Sequence, residues 1–286
     1  MAALLSRRIA GTLGGVCLLL LACLQTVAAA TAPDTTAVAK QRSFTVGVGA
    51  YTNSTFFGRS QTEKFPYWTT ELTYKAPSGA WVSALNYDLF STTTLRDETD
   101  LSVGWDKDFT QRLDGSLSYS HFFFSPNSPL LKSAVSNSLD GYVGLDWGFL
   151  YTRLNADYVF GEAQDFFLVL DNSRYFEIDN VLMTKGILSF EPRVSVMAGT
   201  QSFVTTSIEQ QLNRKGKGRP GGTGTTSNST STRFSLLNYE LRVPVTYSLG
   251  KVSVEAAWRY LRPVHTLADD TSRPLSIFSG GVYVTF

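Results

Sequence analysis

Cysteine, methionine and histidine are nearly missing, at 2, 3 and 2 residues in a chain of 286. Both cysteines, Cys17 and Cys23, fall within the first 30 residues, so the rest of the chain has no disulfide framework to rely on. Histidine is confined to His121 and His265, which leaves little for a catalytic centre that needs an imidazole base. An excess of charge of one sign is lacking too. Without Met1 to Ala30, two of the 25 basic residues go and 23 face 24 acidic ones, so nothing suggests nucleic acid as a partner. Long apolar runs are absent beyond residue 30. That excludes membrane-spanning helices but not membrane-spanning strands, whose alternating residues do not look apolar on average.

The N-terminus holds the one apolar run there is. Met1 to Gly11 carries Arg7 and Arg8 and no acid, an apolar stretch runs from Val16 to Cys23, and small residues follow through Val27-Ala28-Ala29-Ala30. A basic start, a short apolar middle and an A-x-A finish predict a secretory signal peptide over residues 1–30, cleaved near Ala30. Leu20-Leu21-Ala22-Cys23 also resembles a lipoprotein processing site, which would leave a lipidated Cys23. A short periplasmic segment is then expected over residues 31–42.

Period-two alternation dominates what remains. Val252, Val254, Ala256, Trp258 and Tyr260 alternate with Ser253, Glu255, Ala257 and Arg259, and Tyr239 to Tyr247 alternate with Asn238, Glu240, Arg242 and Thr246. Twelve strands are predicted, over residues 43–51, 66–75, 80–90, 98–107, 113–123, 137–147, 150–160, 165–177, 193–204, 234–247, 251–262 and 276–286; ten or fourteen fit as well. Tight connections at 76–79, 111–115, 148–149, 191–193 and 248–251 alternate with longer polar ones at 53–63, 92–97, 125–136, 205–232 and 263–273. Short turns at one end and long loops at the other are what a transmembrane, antiparallel, up-and-down β-barrel gives, here expected over 43–286. All five tryptophans (Trp68, Trp81, Trp105, Trp147, Trp258) are expected on the outward face, gathered toward the two ends as membrane girdles.

The last residues sharpen the class. Ser279-Gly280-Gly281-Val282-Tyr283-Val284-Thr285-Phe286 resembles the C-terminal strand signature by which outer-membrane barrel proteins are recognised for insertion. The resemblance covers this strand closely and the rest of the chain only as a repeating pattern. It implies Gly281, Val284 and Phe286 as an insertion signal, a location in the bacterial outer membrane, and outer-membrane lipid and the barrel-insertion machinery as partners.

The face opposite the apolar one is expected to line the lumen with Glu71, Asp88, Asp100, Asp106, Asp140, Asp146, Asp157, Glu240 and Glu255, against Arg153, Arg193, Arg242 and Arg259. Two readings stay open: a salt-bridged network that fills a small barrel, or a polar path for small solutes or ions that mildly favours cations. The expected role is thus non-enzymatic, a small porin-like channel or a structural barrel. The alternative is a lipid-modifying enzyme built on Ser120 or Ser125 with His121, although the His-x-Ser-Asn arrangement of outer-membrane phospholipases is missing and His121 falls on the outward face. No cofactor is expected: Gly216-Lys217-Gly218-Arg219-Pro220-Gly221-Gly222 lacks the Gly-Lys-Ser/Thr ending of a phosphate loop. His265 with Asp269 and Asp270 reads as a solvated loop rather than a metal site.

Overall fold

The computed structural model describes residues 41–92, 96–126, 128–182, 185–214 and 233–286. The expected signal peptide, Cys23, most of the 31–42 segment and the phosphate-loop-like stretch at 216–222 lie outside them. Fourteen strands are present: β1 (Ser43–Tyr51), β2 (Tyr67–Lys75), β3 (Ala80–Leu89), β4 (Glu98–Asp108), β5 (Leu113–Phe124), β6 (Val135–Asp146), β7 (Tyr151–Gly161), β8 (Gln164–Ser173), β9 (Phe176–Asp179), β10 (Gly186–Phe190), β11 (Arg193–Gly199), β12 (Ser235–Leu249), β13 (Val252–Pro263) and β14 (Leu275–Thr285). One α-helix, α1 (Ser202–Arg214), follows β11, and a 3-10 turn spans Leu131–Ala134.

Around the ring, neighbouring strands pair antiparallel in chain order except that β8 pairs with β11, and the ring closes where β14 pairs with β1, from Tyr51↔Ser279 to Thr45↔Thr285. Phe44 and Phe286 complete the seam with backbone bonds of 3.1 and 2.9 Å. The closed barrel has 12 strands, β1–β8 and β11–β14, with β9 and β10 outside the ring. Most ring strands run 9 to 15 residues, enough to cross a membrane at the usual tilt. Both described ends of the chain lie at the short-turn rim.

The strands outside the ring correct two expectations. The chain does not turn at 191–193. Ser173↔Arg193 and Phe176↔Phe190 keep one alignment, so β8–β9 and β10–β11 form a single long hairpin that reverses after Asp179. Pro192 has no N–H to give the ladder, which breaks the arm between β10 and β11 without bending the pairing away. The expected strand at 193–204 stops at Gly199, because Asp165 on β8 caps a helix start instead. Its carboxylate accepts the backbone N–H groups of Ser202 and Phe203, each at 2.7 Å.

Register fixes which side chains face out. Residues directly opposite share a face, and the outer set is apolar: Val82 is 51 % exposed, Leu117 58 %, Val143 53 % and Phe278 58 %. A belt of this size on a soluble protein would be an aggregation site; around a closed barrel it is a lipid-facing wall. The chain is a membrane-spanning barrel.

Trp81 departs from the expected girdle. Lys75↔Trp81 puts the indole on the inner face, where Gly104 makes room for it: a Cβ on Gly104 would sit 2.4 Å from the ring. The turn before it depends on Gly79 at φ +90°, where a Cβ would come 2.1 Å from the Asp106 carbonyl oxygen. Trp68, Trp105 and Trp258 lie on the outer face, and Trp147 is exposed just past the end of β6.

Candidate functional site

The lumen wall is built by alternation. The pairings Gly47↔Glu71, Asp140↔Asp157, Glu240↔Ser195 and Thr246↔Glu255 set those carboxylates on the inner face, with Asp100, Asp106, Asp146 and Arg153 in the same register. Arg193, Arg242 and Arg259 are direct neighbours on β11, β12 and β13, so three guanidinium groups form one transverse row. Asp88 is the exception. It lies opposite Trp68 on the outer face, where its carboxylate accepts from Asn86 Nδ2 at 2.7 Å and from the Arg96 backbone N–H. Both alternate sets of β3 carry apolar residues (Trp81, Leu85 and Leu89 against Val82 and Ala84), so alternation does not fix its parity. The turn at 76–79 fixes it, by tying Trp81 to the inward Lys75.

The inner charges form pairs, three of them across neighbouring strands and Arg193 with Glu191 along its own arm. Arg153 reaches Asp171 at 3.0 Å, Arg193 reaches Glu191 at 3.2 Å and Arg242 reaches Glu255 at 2.8 Å, while Arg259 and Glu240 approach to 4.0 Å. Asp106 gathers Lys75 at 2.5 Å, Trp81 Nε1 at 3.0 Å and Ser116 at 2.8 Å. A cavity of about 120 Å³ remains beside the arginine row, lined by Arg193, Arg242, Glu191 and Glu255 among others. Asp171, Asp114, Asp165, Glu98 and Lys75 share the inner face and went unremarked in the sequence, although their alternation was visible there.

At the long-loop rim the lumen is closed over. The loop after β1 dips inward, with Phe57 stacked on the inward Phe167 at 3.6 Å and Phe56 edge-on to Phe203 of α1 at 5.2 Å. Arg59 locks this loop. It is fully buried and donates to Gln201 Oε1 at 2.9 and 2.7 Å, to the Leu237 carbonyl at 3.0 Å and to the Val264 carbonyl at 2.9 Å. Its Nε lies 3.2 Å from Asp270 Oδ2, close enough for ion pairing but without hydrogen-bond alignment, so that oxygen has no hydrogen-bond partner. Burial pulls the Arg59 pKa down, and the Asp270 charge opposes the shift. This one side chain joins the loop after β1, the start of α1, β12 and the loop after β13.

A second buried cluster sits under the same rim. Lys132 Nζ lies 2.5 Å from Glu98 and 2.6 Å from Asp100, over the face of Phe122 at 3.8 Å. Burial would lower the ammonium pKa, but Glu98 and Asp100 hold it above the ordinary lysine value.

The remaining sequence candidates are placed as follows. Gly281 faces inward against the Tyr283 ring, Val284 pairs with Val46 and Val252, and Phe286 is 60 % exposed beside Lys251. His121 faces outward, bonded through Nδ1 to Asn137 at 2.7 Å, while Ser120 faces inward and bonds Ser102 at 2.8 Å. The strand therefore holds Ser120 and His121 on opposite faces of the wall, and Ser125 lies just past its end. His265 Nδ1 meets the Leu236 carbonyl at 2.9 Å, and Asp270 serves Arg59. Among the described residues no group of three His, Cys, Asp or Glu is arranged to hold a metal ion.

No family model and no curated protein matches the chain. Solved structures do match in shape. "KdgM porin" is 9 % identical, covers 85 % of this chain and 99 % of its own, and superposes with a TM-score of 0.48. "LpxR from Salmonella typhimurium" follows at 11 % identity, 85 % and 100 % coverage and a TM-score of 0.47. "NanC porin" is 10 % identical, with 84 % and 98 % coverage and a TM-score of 0.44. Likeness at this level transfers no residue role. The closed ring and its apolar exterior carry the assignment: this is a membrane-spanning β-barrel fold.

Proposed function

We propose that the protein is a non-enzymatic outer-membrane channel for small solutes or ions. One observation carries the reading. The inner wall keeps an arginine row on β11–β13 and a carboxylate-rich wall on β4–β8, with a cavity of about 120 Å³ beside the arginine row. A barrel of this strand number lies between side-chain-filled small barrels and open porins. Charge lining such a path sets ion selectivity, and the inward carboxylates outnumber the inward cations, which favours cations.

The same reading takes residues 1–30 as a removed signal peptide and Gly281, Val284 and Phe286 as the signal read by the barrel-insertion machinery. The turn rim then faces the periplasm and the closed-over rim faces outward. The test is single-channel conductance of the refolded protein in a planar bilayer under a salt gradient. Discrete steps with a reversal potential of cation-selective sign are expected. Silence from protein shown to be folded by its heat-dependent gel mobility would overturn the channel reading.

A further inference from the structure

Beneath the loop that follows β1, the lumen holds a partly enclosed cavity of about 170 Å³. Ser54 and Thr55 of the loop line it with Tyr67, Tyr87, Glu98 and Lys132, and Phe56, Leu89 and Leu130 make the rest of its wall apolar. This cavity is distinct from the one beside the arginine row.

Its walls are held in place from behind. Tyr67 stacks on Tyr51 with ring centroids 4.6 Å apart, and Arg259 donates to Thr55 Oγ1 at 2.8 Å. Lys132 is fixed between Glu98, Asp100 and the Phe122 face. A pocket whose polar groups are preset in this way loses little freedom on binding.

Charge and size select the ligand class. The Lys132 ammonium is taken up by two carboxylates, and the guanidinium on the far side lies 4.0 Å from Glu240, so neither basic group is left waiting for an anionic ligand. What the cavity offers is hydroxyls, the Glu98 carboxyl oxygens, and aromatic and aliphatic surface. Its volume is that of roughly five or six waters at about 30 Å³ each, comparable to one six-membered sugar ring.

We infer that this cavity binds a neutral, polyhydroxylated small molecule of about one sugar ring, held by Glu98, Ser54 and the two tyrosines. The site goes beyond the channel reading, because it requires a pocket and not conduction.

Isothermal titration calorimetry of the refolded full chain, with D-glucose, D-galactose and D-glucuronate as probes, tests it. A neutral hexose is expected to bind with a Kd of about 1 mM or tighter. Glu98→Gln should weaken that binding several-fold, since it replaces one carboxyl oxygen by an amide donor. Ser54→Ala, which leaves the ion cluster intact, should weaken it several-fold, and Trp105→Phe on the outer face should leave it unchanged. Three results would overturn the inference: no heat from either hexose with protein of normal gel mobility, hexose binding indifferent to both Glu98→Gln and Ser54→Ala, or tighter binding of the charged glucuronate. A silent bilayer with hexose binding would leave the site standing and remove the channel; conduction without hexose binding would do the reverse.

Discussion

Replacing Arg59 by methionine should open the closed-over rim while leaving the barrel standing. The guanidinium makes four hydrogen bonds of 2.7–3.0 Å to Gln201, Leu237 and Val264 and pairs with Asp270. Arg59 is 0 % and the Asp270 side chain 2 % exposed, so neither charge is screened by solvent. Taking away one partner leaves a buried carboxylate uncompensated, at a cost of roughly 3–5 kcal/mol. None of these contacts belongs to the strand ladder of the wall, so the loss falls on the packing of loops against the mouth. At 1.4 kcal/mol per decade, even the lower figure shifts the closed-to-open ratio by about a hundredfold. Single-channel recording should show larger or longer openings in Arg59→Met, and limited proteolysis should cut the loop at 53–63 faster. Arg59→Met combined with Asp270→Asn should recover part of the loss, because the stranded charge is gone. Wild-type conductance together with a wild-type cleavage pattern in the single variant would refute the latch.

Three further outcomes are expected. Arg242→Gln breaks the guanidinium row and leaves Glu255 without its 2.8 Å partner, so the reversal potential under a salt gradient should move further toward cations; an unmoved potential would remove the row from the ion path. Gly104→Ala pushes a Cβ to within 2.4 Å of the inward Trp81 ring, and overpacking of this kind costs about 1–3 kcal/mol; a denaturation midpoint equal to wild type would mean that the indole does not occupy that space. The Lys132 ammonium has its pKa raised above the ordinary 10.5 by Glu98 and Asp100, against burial. Its contribution to stability is therefore fully present below pH 10.5 and is lost as pH rises through the raised value. Thermal unfolding followed across that alkaline range should show a drop that Lys132→Met abolishes, and a drop of equal size in the variant would assign it elsewhere.

Much of the barrel was written in the sequence, because a strand's two faces are set by period two alone. Val252 to Tyr260 and Tyr239 to Tyr247 could be sorted into lipid-facing and lumen-facing sets without coordinates, and Glu240, Arg242, Glu255 and Arg259 with them. The closing strand at Gly281 to Phe286 was legible for the same reason. Where both alternate sets carried apolar residues, as in β3, the pattern was silent. There a turn decided the parity, moving Trp81 in and Asp88 out. A one-residue slip changes every face, and hydrophobicity had nothing with which to forbid it.

What the tertiary structure alone decided lies at the rim. Helix α1 starts where it does because Asp165, 37 residues earlier than Ser202, caps it from another strand. No local signal could announce that, since a cap supplied from a distant strand leaves no mark in the neighbouring sequence. The Arg59 latch gathers carbonyls from residues 178 and 205 positions away, and the Lys132 cluster reaches back to Glu98 and Asp100 across two strands. Period and composition are local properties, and they determined the wall. The mouth is made by loops meeting one another across the lumen, so its chemistry exists only once the ring has closed.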